Sequence, residues 1–539
     1  LCLFTELIYS EKIGGKNMKQ IYRFLLYLIP LICFLPIFIL RDYTPNNELR
    51  YVSIVDEALN NGSIVVFYNH GIPYADKPPL YFWLMMAGRA IAGNHLLFFM
   101  GLINLMITAC IMLIMNRWCF PNANIKKRLP PMLVLLTTGL FTGAFLVMRM
   151  DILMTLFIVL SLYTFYKLYN GTSSKDDEWL FPIYLFLGIF SKGPIGLLIP
   201  VIAIIIFLII NKKITTIGRY LGWRTWGVML VLCCIWFATV YHEGGIAYLK
   251  NLLFHQTFDR AVNSFHHKEP FYFYILRFWL LAAPWSLFGA ATIIRGFRQR
   301  LIKEYPIRQF FIVIIFSTFL LLSLVSSKVD IYLLPIYPFF IYFAFMVIDD
   351  VKQSKLVRAM IWIPVILLCT ALPICLYMEE HLPFTLSYPW LLITGAILLT
   401  IVGGVAIVSL LKGDIIRAIT LGSAGIIVFI FLSAFQIPGF NSYLGFGNIT
   451  KEAQELGRMH KTMRYASLGI GRSENMEVYL NVSVTPFSEW TILTKKEQIT
   501  RPYILFTTTK IISKNDSLRL WLQNKERRVA GKYEVYTIE

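Results

Sequence analysis

Three very short turns between long apolar runs carry charged side chains. They hold Arg149 with Asp151, Lys192, and Lys328 with Asp330. Turns of this length keep their charges at the boundary of the apolar layer, where a snorkelling charge costs little, but these charges lie on one face only and alternate in sign. Lysine and arginine in such a place can bind an anionic headgroup whose lipid tail stays in a bilayer. Interfacial anchoring and simple ion pairs are the alternative interpretation.

Two longer polar segments add charged residues that can act together with these turns. Their members are Glu48, Arg50, Asp56, Asp76 and Lys77 in the first segment, and Asp259, Arg260, His266 and His267 in the second. Lys77 precedes two prolines, which restrict the backbone beside it. The aromatic residues around Lys77 form either an interfacial belt or a surface on which a sugar stacks.

The elements that must position these residues are membrane-spanning helices. The chain has 539 residues, of which 57% are hydrophobic and 15% are charged, and its mean hydropathy is +0.63. A soluble chain carries about a quarter charged residues. We therefore predict about 13 spans, at residues 21–40, 95–115, 131–148, 151–170, 179–193, 194–210, 225–242, 271–294, 309–326, 331–348, 357–377, 388–411 and 415–435.

The lysine and arginine residues of the short loops indicate the orientation of these spans. Most of them lie in the loops on one side, which the positive-inside rule assigns to the cytoplasm together with the N-terminus. The net charge of +19 thus reflects topology, and nucleic acid is not an expected partner. We predict a cytoplasmic segment at 1–20, with Met18 as the expected start, and a transmembrane domain at 21–440 whose external loops are 41–94 and 243–270.

Residues 441–539 have no long apolar runs and a higher charge density. Their patterns predict a small α/β domain on the external side of the membrane. The predicted helices are 451–464 and 516–524, and the predicted strands are 465–470, 503–508 and 532–538. None of the eight cysteines lies in this domain, so we expect no external disulfide framework.

Several sequence blocks occur in a fixed order, all on the predicted external face. They are residues 47–51, 71–83, 149–151, 191–194, 284–286 and 326–335. Together they resemble the blocks of membrane-embedded lipid-linked sugar transferases of the GT-C type. The likeness is to the bacterial aminoarabinose (lipid A) transferases and their protein O-mannosyltransferase relatives. It covers 21–338 well and the remaining spans loosely.

The resemblance implies a multi-pass α-helical protein of the bacterial inner membrane with a periplasmic C-terminal domain. It also implies a glycosyltransferase that moves a sugar from polyprenyl (undecaprenyl) phosphate to a lipid or protein acceptor. By resemblance, the donor phosphate is bound by Lys77, Arg260, Arg50, Lys192 and Lys328. The donor and sugar pocket is formed by Tyr51, Tyr74 and Tyr332. The catalytic positions, which orient the sugar or the acceptor, are Glu48, Asp151 and Asn47.

Asn47 is an important departure from the family pattern, which usually has aspartate at this position. Asparagine cannot accept a proton at neutral pH. An acceptor that is already an ionised phosphate needs no base, and this favours lipid A over a protein hydroxyl. Alternatively, Glu48 or Asp151 takes the role of the missing carboxylate, or the activity is lost or altered.

The resemblance implies no required cofactor, because cationic side chains neutralise the leaving phosphate. A divalent cation such as zinc is a weaker expectation, with Asp76, His266 and His267 as its ligands. Exposed loop histidines are the simpler interpretation, because this spacing is not typical of a metal site. A transporter or flippase of lipid-linked substrates is the competing class, but the charges lie at one end of the spans and not at mid-bilayer.

Overall fold

The computed structural model describes residues 27–253, 269–488 and 499–539. A bundle of apolar helices forms the larger part of the protein. Its helices are α1 (Tyr27–Leu40), α2 (Arg50–Asn61), α3 (Leu80–Ala92), α4 (Leu97–Cys119), α5 (Ile125–Leu136), α6 (Gly139–Leu146), α7 (Asp151–Asn170), α8 (Lys175–Lys192), α9 (Ile195–Ile210), α10 (Ile217–Tyr220), α11 (Trp223–Lys250), α12 (Phe273–Leu281), α13 (Ser286–Arg298), α14 (Leu301–Glu304), α15 (Pro306–Leu324), α16 (Ile336–Val351), α17 (Lys355–Cys369), α18 (Ala371–His381), α19 (Pro389–Leu411), α20 (Ile415–Ser433) and α21 (Ile437–Leu444).

The predicted spans coincide with single helices or with bent pairs of helices. The pairs are α1 with the segment Pro45–Asn61 that contains α2, bent by 75°, α5 and α6, bent by 74°, α12 and α13, bent by 115°, and α17 and α18, bent by 47°. By length and composition, six helices of the described chain can cross a membrane, and up to ten spans result if each bent pair counts as one. The predicted spans beyond these ten are α8, α9 and α16, which are shorter or carry more charge.

The first predicted external loop, 41–94, is largely helical. It contains α2, α3 and a short antiparallel hairpin of β1 (Tyr68–Asn69) and β2 (Ile72–Pro73). The apolar face of α2 is buried, since Val52, Ile54 and Val55 have no exposed surface. A hydrophobic face repeating at helical spacing explains why this segment folds onto the bundle instead of remaining a loop.

The second predicted loop, 243–270, begins later than the sequence suggests. Helix α11 continues to Lys250, with a break at Gly245, whose φ is 68°. Glu243 accepts hydrogen bonds from the backbone amides of Ile64 and Val66, both at 2.9 Å. This carboxylate holds the end of α11 against the segment that leads into β1.

The C-terminal part is an α/β domain, as the sequence predicts. Its five-stranded sheet has the order β4-β3-β5-β7-β6, in which β3 is parallel to β4 and β5, and β7 is antiparallel to β5 and β6. Its elements are α22 (Gly447–Met459), β3 (Tyr465–Leu468), α23 (Glu477–Leu480), β4 (Val484–Phe487), β5 (Tyr503–Thr508), α24 (Thr509–Ser513), α25 (Asp516–Leu522), β6 (Arg527–Ala530) and β7 (Tyr533–Ile538).

Asp42, just after α1, joins the helix bundle to the C-terminal domain. Its carboxylate accepts a hydrogen bond from the amide of Gly447 at 2.7 Å and another from the hydroxyl of Tyr479. Asn441 donates to the carbonyl of Leu40 at 2.8 Å. The predicted boundary between residues 440 and 441 therefore falls inside α21, a helix that packs against both parts.

Candidate active site

Asp151 lies at the centre of a buried group of charges at one end of the bundle. It is the first residue of α7, where the helix dipole favours a carboxylate, and its side chain is only 2% exposed. One oxygen accepts from the ammonium of Lys192, and the other accepts from Arg149 Nε at 3.2 Å. The charge of Lys77 also acts on this carboxylate. The sequence-predicted turns around Arg149 and Lys192 thus meet in space.

Lys192 reaches Asp151 from the last turn of α8, where the helix dipole favours a cation. Its side chain is 6% exposed, and its Nζ lies 4.4 Å from the centre of the Tyr332 ring. The turn after Lys192 is held by close packing of α8 on α9. A Cβ added at Gly196 would lie 2.2 Å from the carbonyl oxygen of Gly188, so no larger residue fits between these helices.

The cations in contact with Asp151 outnumber it. Lys192 and Arg149 carry two positive charges against one carboxylate, and the group keeps a net charge of +1. The side chain of Arg149 remains 28% exposed, so its guanidinium is accessible from outside the buried pair. A net positive group at the edge of an apolar bundle is suited to binding a phosphate.

Arg50 lies over two of the predicted pocket tyrosines. Its guanidinium carbon is 5.7 Å from the ring centre of Tyr51 and 5.4 Å from that of Tyr74. The carbonyl of Tyr74 accepts a hydrogen bond from Tyr248 at 2.9 Å, which fixes the start of the 74–77 segment against α11. These contacts bring Arg50, Tyr51 and Tyr74 together, and their roles in donor binding stay predictions.

Glu48 is closed off by its hydrogen bonds and has no exposed surface. Its two oxygens accept one bond each from Arg41 at 2.6 Å. They also accept from the amide and hydroxyl of Thr44, both at 2.8 Å, and from the amide of Met148 at 2.7 Å. Five donors leave little capacity for a further proton. This geometry suits a carboxylate that positions its neighbours and not one that acts as a base.

Asn47 lies in a short π-helical turn, Pro45–Leu49, between α1 and α2. Its side-chain oxygen accepts a hydrogen bond from Arg50 at 3.3 Å. The residue also lines a cavity of about 610 Å³ between the bundle and the C-terminal domain. Asn47 therefore lies between the arginine over the two tyrosines and an open, polar space.

The described contacts of Lys328 do not bring it into the group around Asp151. Its Nζ donates to the carbonyls of Val325 at 2.6 Å and Glu269 at 3.0 Å. In these contacts the buried ammonium satisfies one carbonyl at the end of α15 and one in the segment before α12. Asp330, in the same turn, pairs with Arg277 of α12 at 3.0 and 2.5 Å. The sequence alone cannot distinguish this capping role from phosphate binding.

Comparison with solved structures finds a close likeness of fold. The crystal structure of ArnT from Cupriavidus metallidurans bound to undecaprenyl phosphate matches with a TM-score of 0.74 and 14% sequence identity. The match covers 95% of this chain and 97% of that one. The chain has the ArnT fold. The apo structure of the same protein gives a TM-score of 0.72.

Curated proteins with similar sequences include two arabinosyl transferases for undecaprenyl phosphate-α-4-amino-4-deoxy-L-arabinose. The protein from Pseudomonas fluorescens is 24% identical over 304 residues, which are 54% of this chain and 51% of that protein. The one from Shewanella sediminis is 24% identical over 347 residues, which are 60% and 58% of the two chains. The chain thus spans about half the length of these relatives. No family model matches it.

Two residues that sequence reasoning did not single out hold the ArnT fold together at this site. Arg41 neutralises Glu48 and also donates to the carbonyl of Leu146 at 3.2 Å. Asp42 anchors the C-terminal domain beside it. The sequence does contain a signal for this role, since an arginine and an aspartate directly follow a long apolar run. Charges at the membrane boundary need partners of opposite charge or hydrogen bonds.

Three of the predicted residues lie outside the described part of this ArnT fold: Arg260, His266 and His267. Their predicted roles stay predictions. Within the described residues, His, Cys, Asp and Glu side chains form no group of three or more that could hold a metal ion. Asp76 is described and lies beside Lys77, between the hairpin and α3. The metal expectation for Asp76 with the two histidines is therefore untested.

Proposed function

We propose that this chain is a membrane-embedded glycosyltransferase that uses undecaprenyl phosphate as its sugar carrier. The sugar passes to a lipid A phosphate or to another glycolipid on the non-cytoplasmic side. The observation that carries the proposal is the net positive group of Arg149, Asp151 and Lys192 at the end of an apolar bundle. The ArnT fold and the activities of the similar curated proteins support it.

The reaction needs only a displacement at the anomeric carbon. An acceptor phosphate oxygen forms the new bond to this carbon while the bond to the carrier phosphate breaks, and the carrier phosphate leaves with the electron pair. Lys77, Arg149 and Lys192 stabilise the negative charge that develops on the leaving phosphate. Asp151 holds Arg149 and Lys192 in place, because it is buried and contacts both cations.

The absence of a carboxylate at position 47 favours a phosphate acceptor. Glu48 is saturated with donors and Asp151 is ion-paired, so neither is placed to take a proton from an alcohol. An ionised phosphate oxygen carries its own charge and needs no base. Transfer to a protein hydroxyl, the main alternative, needs a base that neither Glu48 nor Asp151 is placed to supply.

The orientation belongs to the same proposal. The loops opposite the site contain Arg128, Lys213, Arg300 and Lys355, and the positive-inside rule assigns this basic side to the cytoplasm. The site and the C-terminal domain then face the periplasm of a bacterial inner membrane. This placement gives the site access to acceptors of the cell envelope.

Transfer by purified protein in proteoliposomes tests the proposal. Undecaprenyl phosphate-aminoarabinose and lipid A are supplied, and mass spectrometry measures the added sugar. Wild-type protein is expected to transfer it, and Lys77→Ala to lose the activity. Arg89→Gln is the matched control, because Arg89 pairs with Asp56 at 3.7 Å and makes no described contact with the charged group. Normal transfer by Lys77→Ala would refute the role of Lys77, and no turnover by the wild type would refute this donor and acceptor pair.

A further inference from the structure

A polar cavity of about 610 Å³ separates the helix bundle from the C-terminal domain. Its volume lies within the usual range for small-molecule sites, about 300–1,000 Å³. The bundle contributes Asn47 and its neighbours, and the C-terminal domain contributes a glycine turn, Thr508 and Lys532. The predicted catalytic position thus shares one space with residues of another domain.

The wall formed by the C-terminal domain has the geometry of a ligand site. Gly469 and Gly471 follow β3, and Thr508 ends β5, so they lie at the carboxyl ends of two parallel strands. Ligands of open sheets bind at this edge. The φ of Gly469 is 65°, a conformation that favours glycine. Within the described part of the chain, the amides of Ile470 and Gly471 have no hydrogen-bond acceptor.

Lys532 gives this cavity its charge. Among the described residues that line the cavity, it is the one whose side chain is charged at neutral pH. Its Nζ donates to the carbonyl of Tyr443 at 2.8 Å and lies 5.0 Å from the ring centre of Tyr533. Partial burial lowers the pKa of Lys532, and a bound anion would favour its charged form. The cavity is therefore suited to an anion.

Asn47 connects the cavity to the donor side of the site. Its side-chain oxygen accepts a hydrogen bond from Arg50 at 3.3 Å, and Arg50 lies over the Tyr74 ring. A group bound between Lys532 and Asn47 would thus approach the predicted sugar pocket from the side of the C-terminal domain. Because residues of both domains line the cavity, a ligand in it can contact both.

We infer that this cavity binds the phosphorylated sugar headgroup of the acceptor. Lys532 and the amides of Ile470 and Gly471 bind one phosphate, and the reacting end lies at Asn47. The C-terminal domain then contributes residues that bind the acceptor. The inference rests on the proposed function, and it adds the place and the chemistry of acceptor recognition.

Two variants change the cavity in independent ways. Gly471→Leu fills it, because a Cβ at Gly471 meets no atom within 4 Å and its φ is not in the left-handed region. Lys532→Gln removes the charge but keeps a donor for the Tyr443 carbonyl. Lys510→Gln is the matched control, an exposed lysine of the same domain that does not line the cavity.

The test measures binding of two probes to full-length protein in nanodiscs. The first probe is lipid A with both phosphates, and the second is undecaprenyl phosphate, whose binding also reports a folded donor site. Both variants are expected to weaken lipid A binding by about tenfold, Lys532→Gln because it removes one charged contact and Gly471→Leu because its side chain occupies the cavity. Undecaprenyl phosphate binding is expected to stay unchanged, and Lys510→Gln to match the wild type for both probes.

Three results would overturn the inference. They are unchanged lipid A binding in both variants, equal wild-type affinity for dephosphorylated lipid A, and a parallel loss of undecaprenyl phosphate binding. Failure of the proposed function looks different. In that case wild-type protein turns over no undecaprenyl phosphate-aminoarabinose, while the variants still weaken binding of phosphorylated lipid A and so support the cavity as its site.

Discussion

Arg41 and Glu48 form a bidentate ion pair, in which each guanidinium Nη lies 2.6 Å from a different carboxylate oxygen. The pair is buried, and Glu48 also accepts the amide of Met148 at 2.7 Å. It therefore ties the end of α1 to the turn that carries Arg149 and Asp151. We expect it to set the shape of the site without taking part in the reaction.

Arg41→Ala is expected to destabilise the protein by about 3–5 kcal/mol, because it leaves Glu48 buried without its cation. Thermal unfolding of the protein in detergent measures the change. The Arg41→Met/Glu48→Met double variant is expected to lose less stability than the sum of the two single variants. Additive losses, or an unchanged Tm for Arg41→Ala, would show that the pair does not hold this turn.

Lys192→Gln is expected to lower kcat/KM for sugar transfer by about 100-fold, the usual effect of removing one donor to a developing charge. Lys167→Gln is the control, since Lys167 forms a similar pair with Asp177, at 2.5 Å, at the other end of α7. Both variants lose a lysine–aspartate pair, so both are expected to lower the Tm. Equal losses of activity in the two variants would mean that the effect of Lys192 is only structural.

The contact between His70 and Glu477 predicts a pH-dependent attachment of the C-terminal domain. The hydrogen bond that His70 Nδ1 donates to the Glu477 carboxylate, at 3.1 Å, raises the pKa of His70 above its usual value of about 6.5. The stabilisation is then full below about 6.5 and is lost as the pH rises through the raised pKa. The Tm should fall across that window in the wild type and less so in His70→Gln. Identical pH profiles would contradict this role.

Asn47→Asp tests whether the asparagine impairs the enzyme. If the acceptor is an ionised phosphate, an aspartate supplies no needed base and adds a negative charge beside it. We therefore expect equal or slightly lower transfer to lipid A in steady-state assays. A large gain of activity would show instead that position 47 requires a carboxylate.

The sequence predicts the helices better than it predicts the segments between them. Long apolar runs mark α4, α7 and α19 because a bilayer demands such runs. The amphipathic helix α2 lies within a predicted loop, since its polar face hides the signal. The strands β4 and β6, which form the two edges of the sheet, are not among the predicted elements. They carry proline or charge, as edge strands often do.

Some residues of the candidate site can likewise be predicted from the sequence, and others cannot. Tight turns place Arg149, Asp151 and Lys192 at one end of the bundle, and short turns between spans leave few other arrangements. The contacts of Lys328 and Glu48 depend on which carbonyls and amides come near them after folding. The sequence pattern does not reveal that Lys328 donates to two carbonyl groups or that Glu48 accepts five hydrogen bonds.

The central claim is that the cationic group binds the phosphate of a polyprenyl carrier. Its most direct test compares the affinity of wild-type protein in nanodiscs for undecaprenyl phosphate and for undecaprenol, which lacks the phosphate. We predict that the phosphate strengthens binding by at least tenfold and that Lys77→Ala and Lys192→Gln remove most of this difference. Equal affinity for the two lipids in the wild type, or an undiminished difference in both variants, would contradict it.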